Sequence, residues 1–79
     1  MPSAASLLPE RQRAVYEYIA RFYNEHGYAP TMRDITIDLG YKSRSTAHDH
    51  VRALERKGMV ERVERRGQPE YRPVDRTTP

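Results

Sequence analysis

The chain has no cysteine. No disulfide framework, thiolate metal site or cysteine nucleophile can be built from it, which sets it apart from small secreted scaffolds. It also lacks a long apolar run, whereas a membrane-spanning helix needs about 20 apolar residues. Met1–Ser6 has neither the basic segment nor the apolar stretch of a signal peptide. Internal repeats, low-complexity segments, a glycine-rich phosphate loop and a nucleophile motif are missing too. With 79 residues there is room for one small domain. A chain of this size buries only about 60% of the surface its unfolded form exposes, so a thin core and no deep catalytic cleft are expected.

What is present is charge, unevenly placed. The formal net charge is +3. Between Lys42 and Arg66 stand eight Lys/Arg and four Asp/Glu, while Met1–Tyr41 carries four Lys/Arg and five Asp/Glu. A basic excess confined to the second half suits a phosphate-facing surface, and it also suits an ordinary solvated face.

The chain divides by its stop signals. Residues 1–8 read as a loose leader. A first helix begins at Pro9, where a missing N–H is harmless, with Glu10 following where the helix dipole favours an acid. Val15, Ile19 and Phe22 recur at i, i+4, i+7, and Tyr16 and Tyr23 widen the stripe. Arg13, Glu17, Arg21 and Glu25 alternate in sign along the outer face. Gly27 closes this helix, and Pro30 prevents its continuation. Thr31 caps a second helix with Asp34 at capping-box spacing; Ile35 and Leu39 face inward, and Gly40 ends it. Tyr41 packs back on the helix end.

Ser43 is the expected cap of a third helix running to Lys57 and closed by Gly58. Ala47, Val51 and Leu54 form its buried stripe, while Ser45, His48, Asp49, Arg52 and Arg56 fall on the opposite side. Met59–Val63 is β-prone, residues 64–69 read as a basic turn, and Glu70–Val74 returns as a second strand that Pro73 confines to an edge. Residues 75–79 form a polar tail. The fold class expected is α+β, mostly α: a three-helix winged helix-turn-helix with a C-terminal two-stranded hairpin, over residues 9–74.

That order of elements points to duplex DNA. A helix fits the major groove when a preceding helix lies across the backbone and a short turn joins the two. Gly40, the small Ala47 and the Arg44-Ser45-Thr46 run meet those needs. Arg44, Ser45 and Thr46 are short or forked donors at the start of the helix, and bidentate Arg44 on a guanine is worth about 1–3 kcal/mol of discrimination. His48 and Asp49 lie one turn deeper. Thr31, Arg33, Ser43 and Arg52 are expected at the backbone, and Arg65 and Arg66 at the tip of a wing touching phosphate or the minor groove. The competing reading is a winged-helix module for protein contact or non-specific nucleic-acid binding. Six tyrosines keep that reading open, although most fall on the first helix and its connector as core and core-edge residues.

An enzyme is not expected. His48 and His50 are two apart, so on a helix they point about 200° from each other and cannot share a metal. Asp34 and Asp38 share a face, but they read as a cap and a solvated acid. No catalytic residue, metal, cofactor, membrane or small-molecule ligand is anticipated.

The chain resembles the N-terminal DNA-binding domain of the LexA repressor family. The residues that carry the likeness are Leu8-Pro-Glu-Arg-Gln12, Gly27-Tyr-Ala-Pro-Thr31, Arg33-Asp-Ile35, Leu39-Gly-Tyr41, Ser43, His50 and Leu54-Glu-Arg-Lys-Gly58. The resemblance implies a winged helix reading an operator through its third helix, in a bacterial or phage repressor working in the cytoplasm at the nucleoid. It places Ser45, Thr46, His48 and Asp49 at base-contacting positions, with Ser43 and Arg52 near the backbone. The run Arg44–Asp49 departs from the Pro-Asn-Ala-Ala-Glu-Glu pattern of some members, so a different target sequence is expected. The family's repressors also carry a second domain for dimerisation and serine–lysine self-cleavage. Residues 1–79 hold no such site, so self-cleavage is not expected of them. Binding is then expected either from a weak monomer or from a homodimer formed on DNA.

Overall fold

A computed structural model describes residues 8–74; the expected leader over residues 1–7 and the tail over 75–79 lie outside the described residues. Three helices are followed by a hairpin: α1 (Glu10–His26), α2 (Met32–Asp38), α3 (Arg44–Arg56), β1 (Val60–Arg65) and β2 (Gln68–Pro73). Pro9 is the residue before the first helical turn rather than its first member. Leu8, assigned above to the leader, packs against the core. Among the described residues no helix is long and apolar enough to cross a membrane.

All five elements contribute to one core. Val15, Ile19, Ile35, Ala47, Val51 and Leu54 are completely buried, joined by Met59, Val60 and Tyr71 from the hairpin. The i, i+4, i+7 stripes of α1 and α3 thus meet, and burying each large aliphatic side chain contributes roughly 1.5–3 kcal/mol. Tyr18 is a buried member that the apolar stripe did not predict, while Phe22 is only partly buried against the core. The Tyr18 hydroxyl keeps a partner there, donating to Asp38 Oδ2. A buried phenol needs such a partner, and Asp38, exposed as expected of a solvated acid, also serves as that acceptor.

Local signals formed as the side-chain chemistry dictates. Thr31 Oγ1 accepts from Asp34 N–H and Asp34 Oδ2 from Thr31 N–H, both at 3.0 Å, which completes the capping box. At the end of α2, Gly40 N–H donates to Ile37 O and Tyr41 N–H to Thr36 O. This closure needs a left-handed residue, and Gly40 supplies it with φ +73°. Leu54 and Glu55 accept the matching pair of bonds from Met59 and Gly58 at the end of α3.

The hairpin differs most from expectation. Residues 64–69 are not one long basic turn. Both strands extend further, pairing Val63 with Glu70, Glu64 with Pro69 and Arg65 with Gln68, and leaving a two-residue loop of Arg66 and Gly67. Both loop residues have positive φ, 53° and 78°, as a two-residue hairpin turn of right-handed twist requires. Sequence spacing missed this because Arg is an unusual choice for the first of those positions.

Candidate nucleic-acid interface

The start of α3 is set by hydroxyl chemistry. Ser43, in extended conformation, accepts from Thr46 N–H at 3.3 Å through its side chain. Its Oγ also lies 3.3 Å from Ser45 Oγ and 3.1 Å from Thr46 Oγ1. Three hydroxyls are therefore linked at one helix end, and the two expected base readers are oriented by the cap itself. Arg44, Ser45, Thr46, Asp49 and Arg52 are all exposed. Arg44 and Arg52 make no ion pair among the described residues, so neither is committed to a protein partner.

His48 is placed differently. It is half-buried, with Nε2 3.4 Å from the Tyr71 hydroxyl and the two rings nearly edge to face. Its side chain leans from α3 toward the wing instead of standing free on the outer face. His50 stacks obliquely on Tyr41, with ring centroids 5.6 Å apart. The two histidines thus belong to different neighbourhoods. No group of three or more His, Asp or Glu able to hold a metal ion occurs among the described residues.

A cleft of about 650 Å³ runs between the starts of α2 and α3 and strand β2. Thr31, Met32, Arg33, Arg44, Ser45, His48, Gln68 and Pro69 line it. Five sequence candidates, Thr31, Arg33, Arg44, Ser45 and His48, therefore converge, although they come from two helices. Thr46 faces a second cleft on the other flank of α3, together with Arg11, Ala14, Leu39, Gly40, Tyr41 and Lys42. Arg11 and Lys42 were not singled out in the sequence. Nothing local marks Arg11 on α1 as a neighbour of α3, and only the helix packing brings it there.

The wing arginines border one cleft with Tyr28 and Glu70 but differ in their partners. Arg66 stands at the loop. Arg65 turns back to the protein body, with its guanidinium 5.3 Å from the Tyr28 ring centroid and 3.7 Å from Glu70 Oε1. Arg65 therefore does not join the cleft lined by Arg33 and Arg44.

The LexA DNA binding domain model matches residues 5–68, most of the chain. The chain belongs to the LexA DNA-binding-domain family. Within that family, it is 43% identical over 54 residues to the LexA repressor of Desulfatibacillum aliphaticivorans, covering 68% of this chain and 27% of the relative. It is 47% identical over 55 residues to the LexA repressor of Sorangium cellulosum (strain So ce56), covering 70% and 24%. With LexA repressor 1 of Nocardia farcinica (strain IFM 10152) it shares 43% identity over 70 residues, covering 89% and 31%. The chain thus spans about a quarter to a third of the length of the curated relatives it matches. Three helices and a terminal hairpin agree with the winged helix-turn-helix that LexA-like membership implies.

Proposed function

We propose that this chain is a sequence-specific double-stranded DNA-binding transcriptional regulator, acting as a repressor in a bacterial or phage cytoplasm at the nucleoid. One observation carries the reading. The first turns of α3 stand exposed, with hydroxyls clustered on the cap and arginines that make no ion pair among the described residues, beside a cleft to which α2 adds a further cation. A helix of 13 residues is about 20 Å long, long enough to lay its N-terminal half in a groove roughly 12 Å wide while its C-terminal half stays in the core.

In this reading Arg44, Ser45, Thr46 and Asp49 contact base edges, and His48 reaches them from its seat against Tyr71. Thr31, Arg33, Ser43 and Arg52 position the backbone, joined by Arg11 and Lys42 on the opposite flank. Arg66 leads the wing toward a phosphate or the minor groove. Phosphate contacts set register and affinity, while base contacts set sequence choice. A single winged helix buries about 600–1,000 Å² on DNA, so a tight operator calls for two copies on two-fold half-sites. We assign that dimer to the DNA-bound state, with residues 9–74 as the binding domain.

Selection of bound sequences from a random duplex pool tests the reading directly. The expected result is one enriched motif with two-fold symmetry, bound far more tightly than bulk duplex. Equal and weak retention of all sequences would instead favour a non-specific or protein-contact module. Sedimentation with and without the selected duplex tests the assembly. A stable dimer without DNA would contradict it.

A further inference from the structure

Glu70 is the sole buried charged side chain among the described residues. Its Oε1 accepts from the Ala29 N–H at 2.8 Å, across 41 positions of sequence, and lies 3.7 Å from Arg65 Nη1. Its Oε2 lies 3.4 Å from both Nε and Nη2 of Arg72. A carboxylate taken out of water needs such compensation. The strand register explains why Arg65 supplies part of it. With Val63 opposite Glu70 and Arg65 opposite Gln68, Arg65 and Glu70 are diagonal neighbours on one face of the hairpin. Tyr28 holds the same guanidinium through its ring face.

Two adjacent arginines near the wing tip are therefore in opposite states. Arg66 makes no ion pair among the described residues. Arg65 is drawn away from the tip by an anion that competes directly with any phosphate. We propose that Glu70 limits the wing's hold on nucleic acid by withholding Arg65, acting as a positioning residue that sets affinity and salt dependence without touching DNA. The inference rests on the wing being a backbone contact, as argued above. Each phosphate neutralised by a cation releases condensed counterions and adds about 0.9 to the salt slope. Glu70 is shared with Arg72 and so does not neutralise Arg65 outright, but a guanidinium held beside Glu70 adds to that slope only once it reaches a phosphate.

Glu70→Gln keeps an oxygen for the Ala29 N–H and nearly the same volume, but removes the charge that holds Arg65 and Arg72, so the double variant with Arg65→Ala separates the share of Arg65 from that of Arg72. Binding of this variant to the selected duplex and to a random duplex is followed by fluorescence anisotropy across a salt series. The set also includes Arg65→Ala, Arg66→Ala, Glu64→Gln and the Arg65→Ala/Glu70→Gln double variant. Glu70→Gln is expected to bind both duplexes roughly threefold more tightly at low salt, with a slope steeper by about 0.9. The double variant loses the gain. Glu64→Gln removes the same charge from the opposite face of the hairpin and leaves the slope unchanged. Arg65→Ala leaves the slope near its original value, whereas Arg66→Ala flattens it. A slope for Glu70→Gln that equals or falls below the unmodified protein's would overturn the proposal, as would a gain that survives in the double variant. If Arg66→Ala still flattens the slope, only the role of Glu70 has failed; if Arg66→Ala changes nothing either, the wing reading has failed with it. Should Glu70→Gln not fold, the single arginine variants decide. Arg65→Ala flattening the slope as much as Arg66→Ala refutes the restraint, and an unchanged slope supports it.

Discussion

The start of α3 and the β1–β2 wing flank the same cleft, yet they are held in place by different physics. The start of α3 is organised locally. Ser43 caps it, Ser45 and Thr46 cluster around the cap, and Ala47 one position on seats the helix in the core. The wing is organised at long range. Consecutive residues Glu70 and Tyr71 point to opposite faces of β2, and both are buried. Tyr71 enters the helical core, while Glu70 receives the N–H of Ala29 in the connector between α1 and α2. A reader built from near neighbours depends on its own cap and on few distant contacts. A wing clamped on both faces is tied to the rest of the domain, and its cations are shared with that clamp.

The largest expected effect removes the common support of both regions. Leu54 is completely buried on α3, so Leu54→Ala is expected to lower stability by about 2–5 kcal/mol, a large fraction of what a domain of this size has. Thermal melts followed by circular dichroism should show one cooperative loss. A helix signal that melts apart from the hairpin would mean that the two regions do not share a core.

Next in size is a change confined to the reader. Ser45→Ala with Thr46→Ala is expected to cost about 1–3 kcal/mol of discrimination between the selected and random duplexes while leaving non-specific binding largely intact. Parallel titrations on both duplexes measure this. Equal loss on both would remove these hydroxyls from base reading.

Tyr18→Phe acts on the body that carries both regions. Burial, and then the hydrogen bond to Asp38, holds the Tyr18 phenol above its ordinary titration range. The folded state therefore keeps a proton that the unfolded chain gives up near pH 10. The stability from this group is fully present below pH 10 and declines as pH rises above it. Tyr18→Phe is expected to cost about 0.5–1.5 kcal/mol at neutral pH, from the lost hydrogen bond, and to reduce the alkaline decline. Chemical denaturation at neutral and alkaline pH measures both. An alkaline decline identical to that of the unmodified chain would assign it to other groups.

The smallest expected change is at the wing tip. Arg66 sits at φ +53°, where most L-residues are strained by about 1 kcal/mol or more. Asn suits that conformation better, so Arg66→Asn is expected to raise stability by up to about 1 kcal/mol while weakening DNA binding and flattening its salt slope. Gains in both stability and affinity would show that the arginine is not kept there for contact.

Much of the helix-turn-helix was legible in the chain because its determinants are near neighbours. The Thr31–Asp34 capping box, Gly40, Ser43 and the Ala47-Val51-Leu54 stripe each act within one or two turns, and each stands where its chemistry places it. Legibility fell as contacts lengthened. The hydroxyl of buried Tyr18 finds its acceptor 20 positions away. His48 shares the helical phase of the outer face, yet Tyr71 of the hairpin draws it aside. The register that shortened the expected turn over residues 64–69 to Arg66 and Gly67 depends on positive φ at both of them, one an arginine.

The sequence by itself determined where helices begin and end, which stripe of α3 is buried, and which residue types stand at its exposed start. Those outcomes follow from caps, glycine stops and helical period, which act over a few bonds. Only the tertiary structure decided which of those side chains face one another: Arg33 with Arg44, Arg11 with Thr46, and Arg65 with Glu70 instead of the open wing. A guanidinium goes to whichever buried anion the fold brings within reach, and no local spacing specifies where that anion lies.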